Sequence, residues 1–188
     1  MLERAGTRSP LSIPTVDEIR DRACAFAFGK AVVENSNRGL VAEIIVEAAI
    51  GPEWELCSGD WGGWDFEYVS DRARRFEVRQ SAALQTWLPS KKPKHPRFDI
   101  RVKKGYYKGA EWIPHPGRHA QIYVFAYHAE RDRVVADHRD VSQWRFHVVA
   151  TNQRPASNSI GYANVISLCE AVPWTGLRNA VERARDGL

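Results

Sequence analysis

Residues 63–87 read GWDFEYVSDRARRFEVRQSAALQTW, and two short alternations in this stretch decide the fold. Trp64, Phe66 and Tyr68 alternate with Asp65, Glu67 and Val69, the period-2 pattern of a half-buried strand. Beyond a polar turn, SDRAR, Phe76 and Val78 alternate with Glu77 and Arg79. Folding the two runs as a hairpin about Asp71 sets Asp65 opposite Glu77 and Glu67 opposite Arg75. The second pair is an ordinary cross-strand ion pair, whereas the first puts like charges face to face, which destabilises a sheet. Carboxylates paired this way on a rigid sheet suit a hard divalent cation, which takes oxygen ligands. Arg79 follows Glu77 by two residues and so shares its face.

An Asp followed on the next strand by Glu-x-basic resembles the catalytic hairpin of the PD-(D/E)XK, or restriction-endonuclease-like, nucleases. The resemblance implies that Asp65 and Glu77 bind Mg2+ (or Mn2+), that Val78 lends its backbone carbonyl, and that Arg79 stands where the family has a water-orienting Lys. Arg holds charge and phosphate hydrogen bonds but does not readily release a proton. The family's proline is also missing, since Gly63 and Trp64 precede Asp65. The run EVRQSA (77–82) is similar to the EVKQSA stretch of some bacterial restriction-like proteins. In the family a Glu on the helix before the sheet completes the metal site. Glu43, flanked by Val41, Ala42, Ile44 and Ile45, matches that position, with Glu47 one turn later as competitor.

The length, 188 residues, fits a single domain, with 1–14 as a loose leader and 89–118 as a long basic loop. The net charge of +4 is concentrated. Lys91, Lys92, Lys94, Arg97, Arg101, Lys103, Lys104 and Lys108 face a single acid, Asp99, which favours a polyanionic partner. Tyr106, Tyr107 and Trp112 interleave with these lysines and suit base stacking or anchoring of the loop. Gln80 and Ser81, just past the acids, suit phosphate or base-edge hydrogen bonds. The three cysteines (Cys24, Cys57 and Cys169) show no paired spacing, which excludes a disulfide framework or zinc knuckle and fits a reducing cytoplasm. No apolar run reaches membrane-spanning length.

Along the chain, Thr15 and Glu18 form a capping box for a helix over 15–35. A second helix follows over 39–50, with Leu40, Ile44 and Ala48 as its apolar stripe. A short strand at 54–57 precedes the hairpin. AQIYVFAYHAE (120–130) and WRFHVVATNQ (144–153) read as buried strands, and 164–184 as a closing helix interrupted at Pro173. The cluster Asp137–Asp140 is a charged turn in which adjacent side chains do not converge on one ion.

The element order predicts an α/β fold: a restriction-endonuclease-like mixed β-sheet flanked by helices. A crossover helix belongs between its third and fourth strands, where 81–88 is the available segment. The resemblance implies an Mg2+-dependent endonuclease acting on double-stranded DNA, of restriction or phage-defence type, and a homodimer if both strands are cut. The alternatives are a nucleic-acid-binding module that no longer cuts, and an α/β protein in which these acids serve surface charge pairs.

Overall fold

In the computed structural model, which describes residues 13–57, 59, 62–87 and 95–188, the quoted stretch folds as the expected hairpin. The leader up to residue 12 and Lys91, Lys92 and Lys94 lie outside the described residues. Helix α1 (Val16–Phe28) opens with the capping box, in which the Glu18 N–H donates to Thr15 Oγ1 and the Thr15 N–H to Glu18. It ends seven residues before the position read from sequence, and its apolar positions face solvent: Val16 is 86% exposed and Phe26 84%.

Helix α2 (Asn35–Ile50) starts four residues earlier than expected and buries a different stripe. Ala42, Ile45, Val46 and Ile50 face the core, whereas Leu40 and Ile44 are about half exposed. From Leu40 onward the helix is apolar nearly all round, so periodicity alone does not choose its face.

Strand β1 (Trp54–Leu56) pairs antiparallel with β2 (Phe66–Tyr68), and β2 with β3 (Asp71–Ala82). Phe66 stands opposite Phe76 and Glu67 opposite Arg75, the register read from sequence. The turn is shorter than SDRAR. Val69 and Ser70 make it, Asp71 already pairs with Tyr68, and a bulge between Glu67 and Tyr68 absorbs the extra residues.

The crossover contains no helix among its described residues. Ser81 and Ala82 extend β3, and the Ala83 N–H continues the pairing by donating to His128 O. The chain then lays down β4 (Arg97–Asp99) and a hairpin of β5 (Tyr106–Lys108) and β6 (Glu111–Ile113). Strand β7 (Ile122–His128) runs parallel to β3, and β8 (Trp144–Ala150) antiparallel to β7. The sheet order is β1-β2-β3-β7-β8. Every residue of β7 is buried, as its unbroken apolar run required of a strand covered on both faces.

One face of the sheet (Phe66, Phe76, Val78, Ile122, Val124) packs on α2 and on α4 (Trp174–Asp186) through Leu177 and Val181. The other face (Tyr123, Phe125, Tyr127) is covered by Phe98 of β4, Ile160 of β9 (Ser159–Gly161) and Val165 of α3 (Tyr162–Leu168). The closing helix is thus two helices separated before Pro173. No helix among the described residues is long and apolar enough to cross a membrane.

The charged turn at 137–140 is structural. Asp137 pairs with Arg139, while His138 is fully buried, its Nδ1 accepting the Val33 N–H at 3.0 Å and its ring edge-on to His128 at 4.6 Å. Burial, then the charge of Arg38 and the His128 ring, lower His138 from 6.5 to about 4. A depressed histidine contributes stability present above its unfolded pKa and lost as pH falls through its folded one. Urea midpoints are therefore expected to drop as pH falls from 6.5 to 4. His138→Gln should flatten that slope; an unchanged slope in the variant assigns the acid lability elsewhere.

Candidate functional site

Asp65, one residue before β2, is held against β3 by backbone and side chain. Its N–H donates to Phe76 O at 3.1 Å, and its Oδ2 accepts the Val78 N–H at 2.7 Å. The strand pairing ends at Phe66 and Phe76, and Asp65, just outside it, lies within electrostatic reach of Glu77. The preceding residues explain why the chain enters here. Trp64 lies between the Arg75 guanidinium, 3.5 Å from its ring centre, and Tyr106 of β5 at 5.1 Å. Gly63 takes the close approach: a Cβ there would stand 3.1 Å from Tyr106 Cβ. The β5–β6 hairpin therefore rests directly on the segment that delivers Asp65.

Glu77 is 2% exposed. Its Oε1 is paired with the Arg79 guanidinium and, at 2.5 Å, with Lys103 Nζ. Tyr123, the residue paired with Glu77 on β7, also favours the charged carboxylate. Burial pushes Glu77 up, but Arg79 and Lys103 together outweigh it and hold the carboxyl below its ordinary value. Burial, followed by the Glu77 charge, raises the Tyr123 phenol. Arg79 stays charged: burial opposes its protonation, and Glu77 and Asp65 more than restore it. Its Nε is buried with no hydrogen-bond partner.

The sequence groups Lys103 with the basic residues of the loop that favour a polyanionic partner. Lys103 instead turns inward, its backbone pairing with Gly117 in both directions and its Nζ also donating to Gly62 O at 2.9 Å. His119 enters alongside, its ring 4.8 Å from Tyr106 and its Nε2 buried with no hydrogen-bond partner. Burial, then His115 and Lys103, lower its pKa. Tyr123 could have been found from sequence, because β7 alternation puts it on the same face as Glu77. Lys103 and His119 arrive through an irregular crossover that carries no periodicity.

Asp65 shows the opposite electrostatics to Glu77. Burial first, then the carboxylates of Glu43 and Glu77, raise it from 3.8 to about 7 against the pull of Arg79 and the Val78 N–H. Glu43, half-buried on α2, is thus within electrostatic reach of Asp65, while Glu47 is exposed. Asp65 feels two other carboxylates, while Arg79 and Lys103 pair with Glu77. In kind, Glu43, Asp65, Glu77 and the Val78 carbonyl are the hard oxygen donors that Mg2+ or Mn2+ takes. Among the described residues, however, no group of three or more His, Cys, Asp or Glu side chains is placed so that it could hold a metal ion. Arg79 and Lys103 both pair with the same oxygen of Glu77, Oε1.

The other predicted contacts are spread more widely. Gln80 Oε1 accepts from Arg38 at 2.6 Å and its Nε2 donates to Asn35 O, while Ser81 is buried. Arg97 donates to Ser159 Oγ at 2.7 Å, Arg101 pairs with Asp99, and Lys104 is exposed. Tyr106 anchors the loop, whereas Tyr107 and Trp112 form an exposed pair of rings 5.2 Å apart. Comparison with protein-family models, curated proteins and solved structures finds no match to this chain.

A carboxyl raised in the folded state contributes stability that is full below its unfolded pKa and lost as pH rises through the folded one. Without metal, Asp65→Asn is therefore expected to raise the thermal midpoint at pH 8 by at least about 2–4 °C, the equivalent of about 1 kcal/mol in a chain this size. At pH 4 it should give no gain. Millimolar Mg2+ should raise the wild-type midpoint at pH 8 and leave the variant unmoved. A variant less stable at both pH values would show that the carboxylates do not repel as described.

Proposed function

We propose that the chain is a metal-dependent DNA phosphodiesterase built on a restriction-endonuclease-like fold, with Glu43, Asp65 and Glu77 as its acids. The observation that carries this reading is the convergence of those carboxylates with two cations at the hairpin matching the family's motif. The sheet order supports it as well: helix, acid-bearing meander, crossover, parallel strand, antiparallel strand. Lys103 resolves the difficulty raised by Arg79. The position two residues after Glu77 supplies a guanidinium, and the crossover returns an ammonium to the same carboxylate oxygen.

The roles follow from the chemistry of each group. Asp65, Glu77 and Glu43 would hold Mg2+ with the Val78 carbonyl, and the ion would lower the pKa of a bound water and neutralise the scissile phosphate. Arg79, a fixed fork that stays charged, grips phosphate oxygens and stabilises charge developing on them. Lys103 holds Glu77 ionised and carries protons that an Arg cannot readily exchange, which suits it to orient water or protonate the leaving oxygen. Lys104 and Lys108, exposed beside the Tyr107–Trp112 pair, meet the DNA backbone and contribute salt-sensitive affinity without sequence choice.

One observation favours a second reading. Glu77 is already paired with two cations, so a nucleic-acid-binding module that does not cut would need no metal there. Plasmid nicking with and without Mg2+ separates the two. Under the nuclease reading, Glu77→Gln lowers cleavage at least about 100-fold and Lys103→Met by a similar factor, while duplex affinity changes less than about threefold. Arg79→Lys keeps substantial activity and Arg79→Ala loses most of it. Absence of metal-dependent cleavage by wild type on any duplex, with binding retained, selects the second reading. Full activity in Lys103→Met removes Lys103 from the mechanism.

A further inference from the structure

Around the C-terminal end of β3 lies a second feature, separate from the carboxylates. A cavity of about 860 Å³ opens between the start of α2, the end of β3 and the turn after it, and the end of β7. Four arginines line it (Arg38, Arg97, Arg131 and Arg133), and no carboxylate does so among the described residues. Crevices outside the carboxyl ends of parallel strands are where open α/β sheets take ligands, and β3 and β7 are the parallel pair here.

Arg38 is the decisive residue. It is 1% exposed, and its partners are amide oxygens rather than carboxylates. Nε donates to Gln80 Oε1, Nη1 to Gln85 Oε1 at 3.2 Å, and Nη2 to Asn35 Oδ1 at 2.7 Å and to Gln85 Oε1. Amide dipoles orient a guanidinium without cancelling its charge, and a buried charge lacking a counter-charge is costly. The cost appears elsewhere too. Burial lowers Arg38 to about 10, and its charge helps hold His128 and His138 neutral behind it. An anion entering the cavity would supply the missing charge. Arg131 and Arg133 are exposed on its wall, Arg133 also tying down the carbonyls of Gln85 and Trp87. Trp87, 59% exposed on the same wall, gives a flat apolar face beside the cations. Cations that grip phosphate and an indole that stacks on a ring together describe a nucleotide.

We propose that this cavity binds a phosphorylated nucleoside, with the phosphate among the arginines and the base against Trp87. Two sources share that chemistry: a free mononucleotide, and an unpaired nucleotide of a polymer. The inference stands on cavity residues alone and does not require the acid cluster to cut. Gln80 lies three residues beyond Glu77 on β3, about 10 Å away at strand rise, so an extruded nucleotide could sit here while its strand passes the acids.

The test is equilibrium binding in EDTA, where no cleavage intervenes. The probes are inorganic phosphate, deoxynucleoside 5′-monophosphates, and duplexes with or without one unpaired nucleotide. The variants are Arg97→Ala/Arg131→Ala, at exposed positions, and Trp87→Ala. The double variant should weaken the preferred nucleotide probe about tenfold or more, whereas Trp87→Ala should weaken nucleotides and leave inorganic phosphate unchanged. Saturable binding of monophosphates marks a free nucleotide as the source. Preference for the duplex with an unpaired nucleotide, lost in the double variant, marks the polymer. The measurements in EDTA read binding alone, so absence of metal-dependent cleavage leaves this result standing. If no probe's affinity changes more than about twofold in the arginine variant, or if Trp87→Ala has no effect on any nucleotide, the proposal is wrong.

Discussion

A carboxylate stays ionised inside a protein only if charge and donors come with it, and Glu77 imposes that requirement on much of this chain. Its neighbours in sequence supply one cation, Arg79. Its neighbour in the sheet, Tyr123, also favours the charged form, and the crossover supplies Lys103. Removing one member of such a buried set costs about 3–5 kcal/mol, because it strands the other charge without a partner. The course of the crossover is therefore tied to the acid. Lys103 must return to the sheet, and the backbone pairing of Lys103 with Gly117 closes that return as a loop. The β5–β6 hairpin is what the loop encloses. It turns at Gly109, whose φ is +61°, and its open end closes at Gly105, where a Cβ would come within 2.3 Å of Ile113 O.

Asp65 and Glu77 lie within electrostatic reach of each other, yet their environments drive their proton affinities apart. Glu77 has two cations of its own and stays charged. Asp65 has the Val78 N–H and a share of Arg79, set against burial and two carboxylates, and reaches about 7. Two acids with separated proton affinities, one fixed and one near neutrality, are a common arrangement where a site handles protons or awaits a cation. A purely structural pair has no need of a third carboxylate within reach. Glu43 on α2 is the part of this arrangement that a simple cross-strand charge pair does not explain.

Much of this was legible from the hairpin. The alternation about Phe66 and Phe76 specified the register, because a slip by one residue would have turned the phenylalanines to the wrong face. The unbroken apolar run at Ile122–His128 specified a strand buried on both sides. What was not legible has definable causes. The buried face of α2 was misread because apolar residues surround that helix. The crossover helix was expected from the family's order of elements, but pairing of Ser81 and Ala82 with β7 carried β3 onward instead. Lys103 looked like seven other basic residues nearby. Nothing local distinguishes a lysine that turns inward, since the acid it meets lies 26 positions earlier in the chain.

Arg38 extends the same physics to the opposite sign. Glu77 is a buried anion provided with cations, whereas Arg38 is a buried cation provided with dipoles only. Three amide side chains from α2, β3 and the following turn converge on it, and the Gln85 oxygen serves two of its nitrogens. That network fixes the guanidinium plane but leaves the charge in place, and the lowered proton affinities of His128 and His138 record its reach. A chain optimised for stability alone would place an apolar side chain at the first turn of α2, as the rest of that helix does. The difference between the two buried charges is that one has its counter-charge within the chain and the other faces a cavity lined by more of its own sign. Repulsion among four guanidiniums around one space is relieved by an anion, which this cavity lacks among the chain's described residues and which Glu77, with Arg79 and Lys103 beside it, has no equivalent need of.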